Sequence, residues 1–586
     1  MKKLIDQLNE ICAQAFTKAG YDAGFGRVNV SNRPDLCQYQ CNGAMGCAKA
    51  ARKKPADIAG EVTAILKENR AFSKAEVCMP GFINLDLSPE YLAEYLESQA
   101  ADENCGIIQE EKKRYIVDYG GANVAKPLHL GHLRSAVIGE SIKRTGAAMG
   151  HEMIGDVHLG DWGLQMGLII EELKDRGQTE FTLADLEEIY PAASAKAKAA
   201  DENGNLTPEA AAFRDRALEA TRLLQAGDPE CTAVWNRIME LSKADLKKNY
   251  DHLDVHFELW KGESDVQKYI PAMLEDLEKR GIAREDQGAL VVDVQEETDK
   301  KEIPPCIIRK SDGASLYATT DLATLVEREK LFKPDGYIYT TDKRQELHFV
   351  SFFRVARKAG IVRPEQMLAH LGFGTMNGKD GKPFKTRSGG VMRLEMLIRD
   401  IEDAVYDRIR ATRDESEISE EEARKIAEVV GLAALKYGDL SNQASKDYVF
   451  DIDRFTSFEG NTGPYILYTI VRIGSILRTY DAQEGEKAEE SFAPALKAGP
   501  DAVNLALSLA RFSEVAAASW KELAPHKLCQ FIYEVSDSFN TFYHNVVILK
   551  EEDPVLKASY IALLRLTRRV LEKSIDMLGF SAPEKM

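Results

Sequence analysis

No run of about twenty apolar residues interrupts this chain, so nothing in it reads as a membrane span. The start, MKKLIDQLNEICAQAF, places Asp6 and Glu10 where a secretory leader needs an uncharged apolar stretch. Export is therefore not expected, and a cytoplasmic location is. Cys-x-x-Cys is absent. The nine cysteines, at 12, 37, 41, 47, 78, 105, 231, 306 and 529, are odd in number and irregularly spaced. That pattern fits reduced thiols better than a disulfide framework. Cys37, Cys41 and Cys47 form the only cluster, with no histidine beside them to complete a zinc site, so no metal centre is expected. Excess positive charge is also missing: the formal net charge is −18. Bulk attraction to nucleic acid is excluded, whereas a local basic face is not. Residues 376–393 carry such an excess, +4, from Lys379, Lys382, Lys385, Arg387 and Arg393 against Asp380 alone; the stretch reads either as a solvated loop or as a polyphosphate contact. No internal repeat or low-complexity tract is found.

At 586 residues the chain is too long for one core. Residues 1–110 mix helical periodicity (LIDQLNEICAQAF, PADIAGEVTAILKEN) with a strand-like alternation in FINLDLS, and read as an α+β domain. A polar stretch with Gly106 marks the boundary. From 111 to 395 the pattern changes. RYIVDYGGANV is strand-like, GHLRSAVIGESIKRTGAAMG is helical, and HEMIGDVHLGDWG returns to strand and turn. Strand, glycine turn, helix, strand is a βαβ unit and predicts a parallel sheet. A charged helical insertion spans about 165–300, after which GALVVDV, PCIIRK, DGYIYT and MLAHLGFG resume the strands. Residues 396–586 read as all-helical. Ile561, Leu564, Leu571, Ile575 and Leu578 there share one stripe that stops at Gly579. The expected fold is thus an α/β Rossmann-like catalytic domain with a helical insertion, flanked by α+β and all-α domains.

The informative stretch is ANVAKPLHLGHLRS, residues 122–135. Its histidines, His129 and His132, stand three apart at the opening of a predicted helix. They could ligate a metal from one helical face, or simply pack. They could also flank a helix N-terminus whose free N–H groups face a phosphate, with Gly131 admitting a nucleotide to the backbone. In the third reading the imidazoles donate hydrogen bonds to phosphate oxygens.

The turn resembles the "HIGH" motif of class I aminoacyl-tRNA synthetases. With Asn-x-x-Lys-Pro before it and Leu-Arg-Ser after it, the turn is similar to the arginyl family. GDWGLQMG, LYATTDLA, DYVFDIDRFTSFEGNTGPYILYTIVRI and the ending FYHNVVIL…APEKM resemble the same family in the same order, from about 80 to 586. The resemblance implies a ligase that uses ATP with Mg²⁺ as substrate, forms an aminoacyl-adenylate, and passes L-arginine to tRNA(Arg). It implies that His129 and His132 hold the ATP phosphates and that Gly131 lies under adenosine. Asn123 borders the amino acid and the phosphate, and Gly372 and Phe373 of HLGFG lie beside adenine.

Arginine offers a planar cation with five donors in a fork, which carboxylates match at two points. The family's pocket carries over to Asp118, Asn123, Tyr317, Asp321 and Gln345. Alone, Asp321 would read as a helix-cap carboxylate and Tyr317 as half-buried core. The second ATP motif departs from the usual Lys-Met-Ser-Lys-Ser: the matching stretch is GKPFKTRSGG, with Pro383 and Phe384 in the first two positions. The resemblance assigns the missing cation to Lys126, with Lys385 and Arg387 in the loop. For tRNA, the family's contacts carry over to Phe82 and Asn84 near the amino terminus, and to Tyr468, Arg472 and Met586. A monomer with no membrane association is expected. Two other readings remain at this point. One is a paralogue that binds tRNA without catalysis, suggested by Pro383. The other is a class I synthetase for another amino acid, against which two pocket carboxylates speak.

Overall fold

The computed structural model describes residues 2–201, 204–311, 313, 315–382, 392–413, 416–483 and 487–586. The chain forms two compact units. One comprises 1–110, 457–577 and 581–586, and the other 111–456 with 578–580. Among the described residues no helix is long and apolar enough to cross a membrane.

The second unit is built on four parallel strands. In space they run Met367–Phe373, Gly336–Asp342, Arg114–Asp118, Glu152–Asp156. The chain lays down Arg114–Asp118 first and adds Glu152–Asp156 on one side. It later adds the other two strands on the opposite side. Such a reversal leaves a crevice beyond the carboxyl ends of the strands flanking it, here Arg114–Asp118 and Gly336–Asp342. Asp118 pairs with Asp156 on one side and Tyr339 on the other, so three polar side chains line up at that edge. Beneath them the core is apolar, with Ile116, Leu322, Leu325, Tyr337, Phe352 and Val355 fully or nearly buried. The helix Leu130–Ala148 connects the first two strands, as the βαβ pattern predicts. Helices Leu164–Arg176 to Pro229–His252 occupy the first part of the expected 165–300 insertion, and its last part carries the strands Arg284–Asp286 and Ala289–Val292 of a separate antiparallel sheet.

Helices Leu394–Thr412 and Glu420–Leu440 belong to this second unit, so the expected boundary at 395/396 falls inside it. Their attachment is electrostatic as well as apolar. Arg134 on the Leu130–Ala148 helix is buried against Asp439, with Nε 3.1 and 3.2 Å from the two carboxylate oxygens.

The first unit joins an antiparallel sheet, in the order Val28–Val30, Tyr39–Cys41, Phe82–Leu87, Phe72–Cys78, to the helices after 457. Gln99 Nε2 donates to the Leu509 carbonyl at 3.0 Å, and Arg569 Nη2 donates to the Asp102 carbonyl at 2.8 Å.

Candidate active site

The histidine turn sits at the start of the Leu130–Ala148 helix, with His129 as its N-cap residue. The Gly131 N–H donates to Nδ1 of His129 at 3.0 Å, and the His129 N–H donates to Nδ1 of His132 at 3.1 Å. Because each Nδ1 accepts, each neutral ring carries its proton on Nε2. The ring centroids are 4.0 Å apart. Burial, followed by the charge of Lys126, lowers His129 from its ordinary value. Burial and the neighbouring His129 and Lys126 push His132 down to about 3. The pair is thus uncharged at neutral pH and offers two Nε2–H donors. A metal would need those nitrogens as lone-pair ligands, which would cost both backbone bonds. Gly131 is required by the close approach of the His129 ring: a Cβ there would stand 2.8 Å from Cε1.

Two other candidates border the turn. Asn123 is exposed and lies on Gly160, where a Cβ would come 2.1 Å from its Oδ1. Lys126 Nζ lies 4.3 Å from the centre of the Tyr190 ring. Arg134, two residues beyond His132, donates from Nη1 to the Gly374 carbonyl at 2.6 Å, and its guanidinium lies 5.7 Å from the Phe373 ring. It therefore fixes the end of the strand carrying Gly372 and Phe373 relative to the histidine helix. Sequence reading passed over Arg134 as part of a motif. Lys385 and Arg387 lie outside the described residues.

At the other end, Asp118 does not face an open crevice with both oxygens. Its Oδ2 accepts from Nη2 of Arg328 at 2.5 Å, and Asp156 Oδ2 accepts from the same nitrogen at 2.6 Å. Arg328 Nη1 also donates to the Tyr339 hydroxyl at 3.2 Å. Burial opposes the charge on Arg328, and the two carboxylates outweigh it, raising Arg328 well above its ordinary value. Asp118, Asp156 and His158 each bring one ligand atom within 4.8 Å of the others, but the guanidinium already supplies the cation there. Arg328 was legible as an anomaly: it stands three residues after Leu325, in the apolar stripe of the helix Tyr317–Leu331.

Asp321, on that same helix, meets His348 Nε2 at 2.5 Å. Tyr317 opens the helix and is 73% exposed, and Gln345 is exposed at the end of the short turn Lys343–Gln345. Burial raises the Tyr339 phenol; the charge of Arg328 opposes this, and the charges of Asp118 and Asp321 add to it. Sequence reading missed Glu263. Burial, then the charges of Asp161 and Asp321, push its carboxyl up to about 8. Glu263 and Asp321 both act on the Tyr317 phenol as well. Among the described residues no lysine or arginine pairs with Asp321, Glu263 or Asp161. Among the described residues, then, the His348 imidazole is the partner of Asp321.

In the first unit, Tyr468 is 40% exposed on the helix Gly463–Asp481. The Arg472 guanidinium lies 4.6 Å from the Tyr468 ring and 5.1 Å from that of Tyr543, and Nη1 donates to Asn540 Oδ1 at 2.8 Å. Phe82 is half-buried, while Asn84 is buried and accepts from Gln40 Nε2 at 2.8 Å. Met586 is half-buried.

Three family profiles match the chain. "tRNA synthetases class I (R), catalytic domain" covers 96–452, "DALR anticodon binding domain" covers 466–586, and "Arginyl tRNA synthetase N terminal domain" covers 2–87. The chain is 54% identical to an arginine–tRNA ligase of Agathobacter rectalis over 609 residues, covering all of both chains. It is 49% identical to one of Alkaliphilus oremlandii, again over the full length of both. Among solved structures it resembles the arginyl-tRNA synthetase of Plasmodium falciparum, with a TM-score of 0.82 at 25% identity and complete coverage of both chains.

Proposed function

The chain belongs to the arginyl-tRNA synthetases of class I, and from that premise we propose how its residues divide the work of joining arginine to tRNA. The reaction consumes ATP: an arginyl-adenylate forms first, and its acyl group passes to the tRNA. Mg²⁺ enters with ATP as part of the substrate.

His129 and His132 donate from Nε2 to the ATP phosphates, and Gly131 brings the backbone beneath adenosine. Gly372 and Phe373 border adenine. In the first step an arginine carboxylate oxygen attacks the α-phosphorus, and pyrophosphate leaves. No proton transfer is needed, so positioning and charge stabilisation carry the step. Lys126, with Lys385 and Arg387, supplies positive charge. Asn123 stands where the amino acid meets the phosphate.

The substrate guanidinium enters the crevice. Asp321, Tyr317 and Gln345 line it together with Glu263. Asp118 offers its Oδ1, its Oδ2 being held by Arg328. The observation that carries this assignment is that among the described residues Asp321 meets only the His348 imidazole and neither it nor Glu263 pairs with a lysine or arginine. A buried carboxyl raised by its neighbours' charges returns to the ionised form when a cation arrives. Tyr468 and Arg472 take anticodon bases by stacking and edge contacts. Met586, Phe82 and Asn84 supply further tRNA contacts, and the Asn84 amide must then act with Gln40, which covers it. We assign residues 1–110 and the helices toward the carboxyl end to tRNA, and 111–395 to chemistry. A cytoplasmic monomer fits this work.

The test is arginylation of tRNA(Arg) by Asp321→Asn. The KM for arginine should rise about 100-fold with the KM for ATP unchanged, as for a lost charge-assisted contact. An unchanged KM for arginine would remove the guanidinium from this crevice.

A further inference from the structure

The altered loop leaves open which cation meets the triphosphate. We infer that Arg393, named so far only as one charge of the basic stretch 376–393, is itself a triphosphate-binding residue, and that Glu187 holds it when ATP is absent. This rests on the reading of the histidine turn as the ATP site.

Three observations carry the inference. First, Arg393 pairs with His129 in an isolated antiparallel bridge, and the next N–H, that of Leu394, donates to the Leu128 carbonyl at 2.9 Å. Directly opposed residues in such a pair share a face, with Cβ atoms about 4.5–5.5 Å apart. The Arg393 side chain therefore leaves the backbone on the same side as the His129 imidazole. Second, both histidines are neutral, so they bring dipoles and no net charge to a highly anionic ligand. A guanidinium supplies the charge and can grip two phosphate oxygens at once. Third, the Arg393 side chain is half exposed, while its ion-pair partner Glu187 is mostly covered. Glu187 lies three residues before Tyr190 on the helix Leu183–Lys196, so the two share a face. That one face holds both cations flanking the turn: Lys126 on the Tyr190 ring and Arg393 on Glu187. Asp245 also lies within electrostatic reach of Glu187 and Arg393, which makes the resting place acidic.

If Glu187 competes with phosphate for Arg393, the two partners of this ion pair have opposite effects. ATP–pyrophosphate exchange with arginine and tRNA(Arg) present reads this out. Arg393→Gln should slow exchange about 100-fold, the scale of one lost transition-state donor, with the KM for arginine unchanged. Arg393→Lys should recover only part, because an ammonium lacks the fork. Glu187→Gln should lower the KM for ATP several-fold. An Arg393→Gln protein with normal ATP kinetics would overturn the inference. So would equal impairment and equal loss of thermal stability in Arg393→Gln and Glu187→Gln, which would make the pair a structural brace. Should Arg393→Gln fail to fold, the Lys and Glu187 variants still decide. Absence of exchange in the unaltered chain would instead overturn the reading of the ATP site itself.

Discussion

The two ends of the crevice are held by different forces. At the end proposed for the nucleotide the backbone does the holding: two N–H groups fix two imidazoles, and Gly131 makes room for one of them. At the amino-acid end charge does the holding: Arg328 clasps Asp118 and Asp156, while Asp321 and Glu263 lack an arginine or lysine among the described residues. The difference separates positioning from selection. In the proposed reading a rigid turn of neutral donors meets a phosphate group, and carboxylates without a lysine or arginine partner among the described residues meet a guanidinium, next to a resident guanidinium that keeps one carboxylate in place.

Removing Arg328 should have the largest effect. Arg328→Met leaves two buried carboxylates without their cation and should destabilise the protein by about 3–5 kcal/mol. Thermal and urea unfolding measure it, and unchanged unfolding would mean that charge does not hold this end. His132→Ala should do the reverse: about 100-fold slower exchange with unfolding nearly unaltered, which separates the backbone-held end from the charge-held one.

A third effect lies in the core below. Lys436 is fully buried and donates to the Asp254 carbonyl at 3.3 Å and to the Gly579 carbonyl. Burial, then the charge of Arg144, lowers it to about 7 against an ordinary 10.5. Between those values the unfolded chain binds more protons than the folded one, so stability should rise with pH, by about 2 kcal/mol from pH 7 to 9. Lys436→Met should lose that increment, as unfolding at the two pH values would show. The smallest effect concerns the first unit. Arg472→Ala should weaken tRNA(Arg) binding about 10-fold, the cost of one stacked contact. Exchange at saturating tRNA should stay as in the unaltered chain, and filter binding with kinetics separates the two.

What was legible in the sequence follows the same division. The turn His129-Leu130-Gly131-His132 could be read because its geometry is local: neighbours two and three residues apart make both bonds. The strands around it could be read from alternation and glycine turns. The Asp118–Arg328–Asp156 cluster draws on two strands and a helix separated by up to 210 residues, so no spacing announces it. The one signal that could have pointed there, the charge of Arg328 in an apolar stripe, went unread. Helices 394–440 showed the same limit. Their stripes announce burial but not the partner, and Asp439 turned out to face Arg134 of the histidine helix. Tyr468 and Arg472 were legible as a pair because a helix puts residues four apart side by side.

The most direct test is ATP–pyrophosphate exchange measured with each amino acid in turn, with and without tRNA(Arg). Of the amino acids only arginine should support exchange, and only when the tRNA is present. Exchange with lysine or cysteine in place of arginine, or tight tRNA binding with no exchange at all, would contradict the assignment of a nucleotide site and a guanidinium crevice to this one sheet edge.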